Sequence, residues 1–202
     1  MKYISLFVLM FSVVNMAKSQ YCDPATENCP NAIISAVPFL RIVPDARSAA
    51  MGDGGIGISA DANSMHCNAS KLAFVENDLG LAASYSPWLR SLGLQDVYLA
   101  YLAGYKKLGD NQTIGASLRF FSLGDLQFTD INGLSLGQGS PNEFEVAVAY
   151  ARKLSTKFSA GLTGKFVYSN LAGGQQIDNI DIVPATSGAV DISFTYETPV
   201  KI

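Results

Sequence analysis

From Asp78 onward, six segments of the chain alternate larger apolar side chains with small or polar ones, residue by residue. A period of two marks a strand whose two faces meet different surroundings. Leu79, Leu81, Ala83 and Tyr85 oppose Gly80, Ala82, Ser84 and Ser86, and Ile114, Ala116, Leu118 and Phe120 oppose Thr113, Gly115, Ser117 and Arg119. Phe144, Val146, Val148 and Tyr150 oppose Glu143, Glu145, Ala147 and Ala149. Phe158, Ala160, Leu162, Phe166 and Tyr168 oppose Ser159, Gly161, Thr163 and Lys165, and Val190, Ile192, Phe194 and Tyr196 oppose Asp191, Ser193, Thr195 and Glu197. The remaining segment is the least clean: Val97, Leu99, Tyr101, Ala103 and Tyr105 form its larger series, expected on the apolar face with the others, against Tyr98, Ala100, Leu102 and Gly104.

A soluble sandwich buries such an apolar face against a second sheet, whereas an outer-membrane barrel turns it to lipid. Three features favour the barrel. Aromatic residues collect near strand ends (Tyr85, Trp88, Tyr105, Phe120, Phe144, Tyr168, Tyr196), where a bilayer interface takes amphipathic rings. The ionisable residues Arg119, Glu145, Lys165 and Asp191 all fall on the small, polar face, away from lipid. Connections alternate between short turns (106–110 and 153–156) and long loops (122–142 and 170–188), the habit of barrels with short periplasmic turns and long extracellular loops. Composition agrees: 49% of residues are hydrophobic and only 15% charged, with no apolar run long enough for a spanning helix. A net charge of −3 gives no basic footprint for nucleic acid. Closed membrane barrels need at least about eight strands. The six here are therefore expected to be the first part of a longer barrel, or a truncated gene product lacking a terminal aromatic.

Lys2, the apolar run 4–16 and the small residues around Ala17-Lys18-Ser19 read as a signal peptide over residues 1–19, with a membrane anchor the weaker alternative. Export makes a disulfide permissible; of the three possible pairings among Cys22, Cys29 and Cys67, the near pair Cys22 and Cys29 is preferred by proximity. Residues 20–77 are expected to form an arm and a plug segment, and residues 78–202 the strands. Gly52, Gly54 and Gly57 satisfy a GxGxxG pattern, but neither a buried strand before it nor a helix after it is evident, so no cofactor is expected. His66 is the sole histidine and has no evident catalytic partner beyond Ser64, Cys67 or Ser70; it reads as a polar plug residue. His66, Cys67 and Asp61 lack the spacing of a metal site, and no catalytic residue is expected.

The stretch Phe39-Leu40-Arg41-Ile42-Val43-Pro44-Asp45-Ala46-Arg47-Ser48, followed by Met51-Gly52-Asp53 and Ser59-Ala60-Asp61-Ala62-Asn63-Ser64, resembles the PorV family, the outer-membrane shuttles of the type IX secretion system in Bacteroidetes. Tyr85-Ser86-Pro87-Trp88-Leu89, Gly115-Ala116-Ser117-Leu118-Arg119-Phe120-Phe121 and Pro141-Asn142-Glu143-Phe144 carry the likeness along the chain. The resemblance implies an all-β, transmembrane antiparallel β-barrel of FadL-like fold with an amino-terminal plug, fourteen-stranded when complete, in the outer membrane of a Gram-negative bacterium. It also implies a non-enzymatic role: binding the carboxy-terminal signal domain of secreted cargo at the translocon barrel and passing it to the sortase-containing attachment complex. Loops 86–95, 122–142 and 170–188 would face outward, with Trp88, Leu126, Phe128 and Leu134 as candidate partner contacts. Two other functions stay open: a FadL-like transporter of hydrophobic small molecules, and a lipopolysaccharide deacylase using His66.

Overall fold

The computed structural model describes residues 37–94, 96–129, 133–171, 176–177, 180–181 and 183–198. The signal peptide and the pair Cys22 and Cys29 lie outside the described residues. All six alternating segments are strands of one antiparallel sheet, ordered β1 (Leu79–Pro87), β2 (Val97–Gly109), β3 (Gln112–Leu123), β6 (Asn142–Lys153), β7 (Phe158–Asn170) and β10 (Ala185–Tyr196). Each strand pairs with the next long strand in the chain, as short turns and hairpin-like loops favour. The loop 122–142 carries its own hairpin, β4 (Leu126–Thr129) with β5 (Ser135–Gly139), and the following long loop carries the short pair β8 (Gln176–Ile177) and β9 (Ile180–Asp181). Among the described residues no helix is long and apolar enough to cross a membrane.

One face of the sheet is bare and apolar. Leu81, Leu102, Leu118, Val148, Leu162, Val190 and Ile192 are all exposed there, Val190 and Ile192 at 70% each. The other face packs against residues 37–77, which form only short helices: Pro38–Arg41, Ala46–Ala50, Ser64–Cys67 and Ala69–Phe74. Met65, Ala69, Leu72, Ala73 and Val75 of this segment join Tyr101, Ala103 and Tyr105 of β2 and Ala147, Ala149 and Ala151 of β6 in one core.

This packing corrects the expectation for β2. Its larger series, Val97, Leu99, Tyr101, Ala103 and Tyr105, is buried on the inner face, so Tyr105 is a core residue and not part of an interfacial ring. The physical reason is that the inner face is covered by residues 37–77, and β2 supplies Tyr101, Ala103 and Tyr105 to the core that this segment shares. The neighbouring strand gives way in turn: a Cβ on Gly115 would meet Met65 Sδ at 2.6 Å and Leu72 Cδ1 at 2.8 Å.

The outer aromatic residues form two bands. Near the long-loop end, Tyr85, Tyr98 and Phe120 are in ring contact at 5.3 and 6.0 Å, and Phe144, register partner of Phe120, stacks on Tyr168 at 5.0 Å. Near the short-turn end, Phe158 stacks on Phe194 at 5.9 Å, with Tyr196 and Tyr150 on the same face. Between the bands the outer face presents Leu, Val, Ile, Phe, Ala and Gly, and its charged side chains among the described strand residues, Lys106 on β2 and Arg152 on β6, sit toward the short turns.

Candidate functional site

Among the described residues, two groups of polar contacts hold residues 39–70 to the inner face, and Lys107 of β2 adds a hydrogen bond to the Glu76 carbonyl. The first is centred on Arg119 of β3, which is 2% exposed. Its Nη1 donates to the carbonyls of Leu40 at 2.9 Å and Phe39 at 3.3 Å, closing the end of the Pro38–Arg41 turn. Its Nη2 lies 2.5 Å from His66 Nδ1. A guanidinium can only donate, so Nδ1 must be the acceptor and the ring is the neutral tautomer protonated at Nε2. Burial, then the charges of Arg119 and Lys165, push the His66 pKa down to about 4, while Asp45 opposes them weakly.

Arg119 also opens a row of alternating charges across four strands. Its Nε is 3.4 Å from Glu145 Oε2 on the facing position of β6. Glu145 lies 4.0 Å from Lys165 Nζ of β7, and Lys165 Nζ is 2.6 Å from Asp191 Oδ2 of β10. The Tyr101 ring lies under the guanidinium, 5.7 Å from centroid to Cζ. A buried ion pair of this kind tolerates desolvation only because each charge has an opposite neighbour.

The second attachment is made of hydroxyls and amides. Asn68 caps the Ala69–Phe74 turn by accepting from Ser70 N, and its Nδ2 donates to the Phe194 carbonyl of β10 at 3.1 Å. Ser70 shares a 2.7 Å hydrogen bond with Thr195, its amide donates to Ser193 Oγ, and its carbonyl accepts from Ser159 Oγ at 2.8 Å. This approach requires a glycine on β7: a Cβ on Gly161 would stand 2.7 Å from Ser70 N and 2.9 Å from its Cα.

The rest of the segment is organised by local caps. Asp45 accepts from the amides of Arg47 and Ser48 and from Ser48 Oγ at the start of Ala46–Ala50. Burial works against its ionisation, but those hydrogen bonds and the Arg47 charge together hold its carboxyl below the usual range. Asp61 and Ser64 exchange backbone-to-side-chain hydrogen bonds at 3.1 Å ahead of Ser64–Cys67. Lys71 is buried and donates to the Gly55 carbonyl at 2.8 Å; burial lowers its pKa and raises that of the nearby Cys67 thiol.

The residues singled out from the sequence divide by place. His66 is held by Arg119, while Ser64 and Ser70 are engaged with Asp61, Asn68 and Thr195. Gly52, Gly54 and Gly57 lie in turns that follow the helix Ala46–Ala50, without the strand and helix of a dinucleotide site. Among the described residues no three His, Cys, Asp or Glu side chains are placed to hold a metal ion. Trp88 follows β1 and packs edge-on to Phe121 at 5.5 Å. Leu126 and Phe128 belong to β4; Leu126 is exposed, and Leu134, just before β5, is 71% exposed. The structure brings Leu126 and Leu134 to one hairpin and Trp88 to a different loop at the same end of the sheet. The anchoring roles of Asn68 and Ser70 were not foreseen. An Asn two residues before a Ser at the start of a turn is the signal that could have found the local cap, but not its link to β10.

The described residues thus form one antiparallel sheet with a bare apolar face, its other face covered by the segment that precedes it. Over residues 24–201, nearly the whole chain, the sequence matches the family model described as type IX secretion system protein PorV, and the chain belongs to that family. It is therefore a type IX secretion system component, of a family not known for enzymes. Compared with curated proteins, the chain matches none.

Proposed function

We propose that residues 78–202 are strands of an outer-membrane β-barrel, plugged by the segment 37–77. We further propose that the protein binds the carboxy-terminal signal domain of translocated cargo and shuttles it from the translocon to the sortase-containing attachment complex. The observation that carries the reading is the family match combined with the two aromatic bands. On β7, Phe158 and Tyr168 are ten positions apart, about 33 Å along a strand, which a tilt near 40° reduces to about 25 Å, the height of a barrel's lipid-facing belt. Cargo contact is assigned to the long loops, with Trp88, Leu126, Phe128 and Leu134 as anchors.

The interior supports a binding protein over a transporter of hydrophobic molecules. An opening of about 590 Å³ between residues 59–77 and β1 is lined by Asp61, Asn63, Glu76, Asn77 and Glu197 as well as apolar groups, a poor fit for a fatty substrate. A deacylase through His66 lacks a hydroxyl nucleophile bonded to the imidazole among the described residues. The test is to tag the protein in its own organism, extract outer membranes in mild detergent and identify what co-purifies. Recovery of a large translocon subunit, a sortase and proteins sharing a carboxy-terminal domain is expected; recovery with fatty acid alone would move the assignment to transport.

A further inference from the structure

We infer that the outer face carries a site for one anionic phospholipid, with an acyl chain in the groove over Gly104 and Ala116 and the phosphate on Lys106. This rests on the barrel reading above and deepens it by naming a lipid that the exterior selects.

Gly104 of β2 and Ala116 of β3 are register partners on the outer face. Two small side chains side by side here lower the surface between the larger residues around them. Leu81 beside Gly104 and Val148 beside Ala116 flank it, the partners Leu102 and Leu118 bound it toward the long loops, and the groove has a volume of about 700 Å³ with an almost wholly apolar lining. Leu81 lies over the floor, since a Cβ on Gly104 would come within 2.6 Å of its Cδ2.

The groove is polarised along the strand. Lys106, two positions past Gly104 on the same face, closes its short-turn end and lines it. It is exposed, and among the described residues no hydrogen bond or ion pair holds its ammonium, whereas Lys107 beside it donates to the Glu76 carbonyl at 2.8 Å. An apolar slot ending in one unengaged cation is the complement of a single amphiphile, with hydrocarbon in the slot and an anionic headgroup at its end. A protein segment lying across this face would have to leave that ammonium unmatched or bring its own carboxylate. The short-turn end is the periplasmic end in the barrel reading, so the lipid comes from the phospholipid leaflet.

The test uses the full chain reconstituted in nanodiscs of phosphatidylcholine doped with phosphatidylglycerol, with retained lipid counted by native mass spectrometry. One phosphatidylglycerol per protein is expected to survive release. Lys106→Gln should cut its retention about tenfold, as loss of one charge-assisted contact predicts. Ala116→Leu, which fills the groove and keeps the surface apolar, should do the same, while Lys157→Gln in the β6–β7 turn should leave retention unchanged. Equal effects of Lys106→Gln and Lys157→Gln, or none from Ala116→Leu, would overturn the site. So would a co-purifying protein lost with Ala116→Leu while lipid retention stays constant. Failure to insert into the bilayer would overturn the barrel reading along with it, whereas insertion without a retained lipid removes only the site.

Discussion

The two faces of these six strands solve opposite problems with the same alternation. On the inner face side chains are held by particular partners: Arg119 has two carbonyls, an imidazole and a carboxylate, and Tyr105 belongs to the core built with residues 62–75. On the outer face Leu81, Leu102, Val148 and Ile192 have none and stand exposed. A water-soluble domain seldom leaves so large a continuous apolar surface bare. The contrast teaches that the inner face is specified by particular contacts and the outer face only by solvent type, so substitutions should be felt locally inside and by depth outside.

The largest effect is expected inside. Arg119→Met strands Glu145 beside Lys165 without its nearest cation and releases Leu40 and His66, at a cost of about 3–5 kcal/mol in thermal or denaturant unfolding of the detergent-solubilised protein. Adding Glu145→Leu should recover much of that loss, because the pair, not the charge, is what the interior tolerates.

Outside, Val148→Arg at the middle of the apolar band should cost about 2–4 kcal/mol in a bilayer. If that face met water, the change would stay within about 0.5 kcal/mol, and the proposed orientation of the sheet would be wrong. Gly161→Val should displace the Ala69–Phe74 turn and cost about 1–3 kcal/mol, read as earlier proteolysis of residues 37–77 than of the strands.

His66 gives a smaller, pH-dependent effect. Its pKa falls from 6.5 to about 4 on folding, so between those values the unfolded chain binds more protons than the folded one. Stability should be independent of this group above about pH 6.5 and decline as pH drops toward 4, by about 1–2 kcal/mol after allowance for its partial exposure. His66→Gln should flatten that part of the profile. Smallest in stability, Leu126→Ser should leave unfolding within about 0.5 kcal/mol but reduce recovery of secretion-system partners if the loop is a contact.

Much of this was legible in the sequence because strand period reports on environment directly. All six strands, their sequential pairing and the grouping of Arg119, Glu145, Lys165 and Asp191 on one face follow from alternation. What alternation cannot say is which face is inside when both carry bulk. In β2, Val97–Tyr105 and Tyr98–Gly104 are both apolar series, and only the core shared with residues 62–75 decides between them. Residues 37–77 were opaque for a related reason: the turn at Ala69–Phe74 is tied to the sheet through Asn68 and Ser70, whose hydrogen bonds to β10 span more than a hundred residues of sequence. The hairpin β4–β5 was hidden within a loop rich in Gly and Gln, where strand propensity is weak.

The charge row has a consequence for how the strands find one another. Arg119 faces Glu145 directly, and each further link, to Lys165 and to Asp191, steps two positions along the next strand. A slip of one residue between neighbours would turn a strand's charged side chain to the opposite face of the sheet, and a slip of two would take Arg119 from its place opposite Glu145. Apolar strands of Ala, Val and Leu tolerate many alignments almost equally well. The diagonal therefore acts as a checksum on assembly, four side chains whose opposite charges meet in sequence only when every strand has been read in frame.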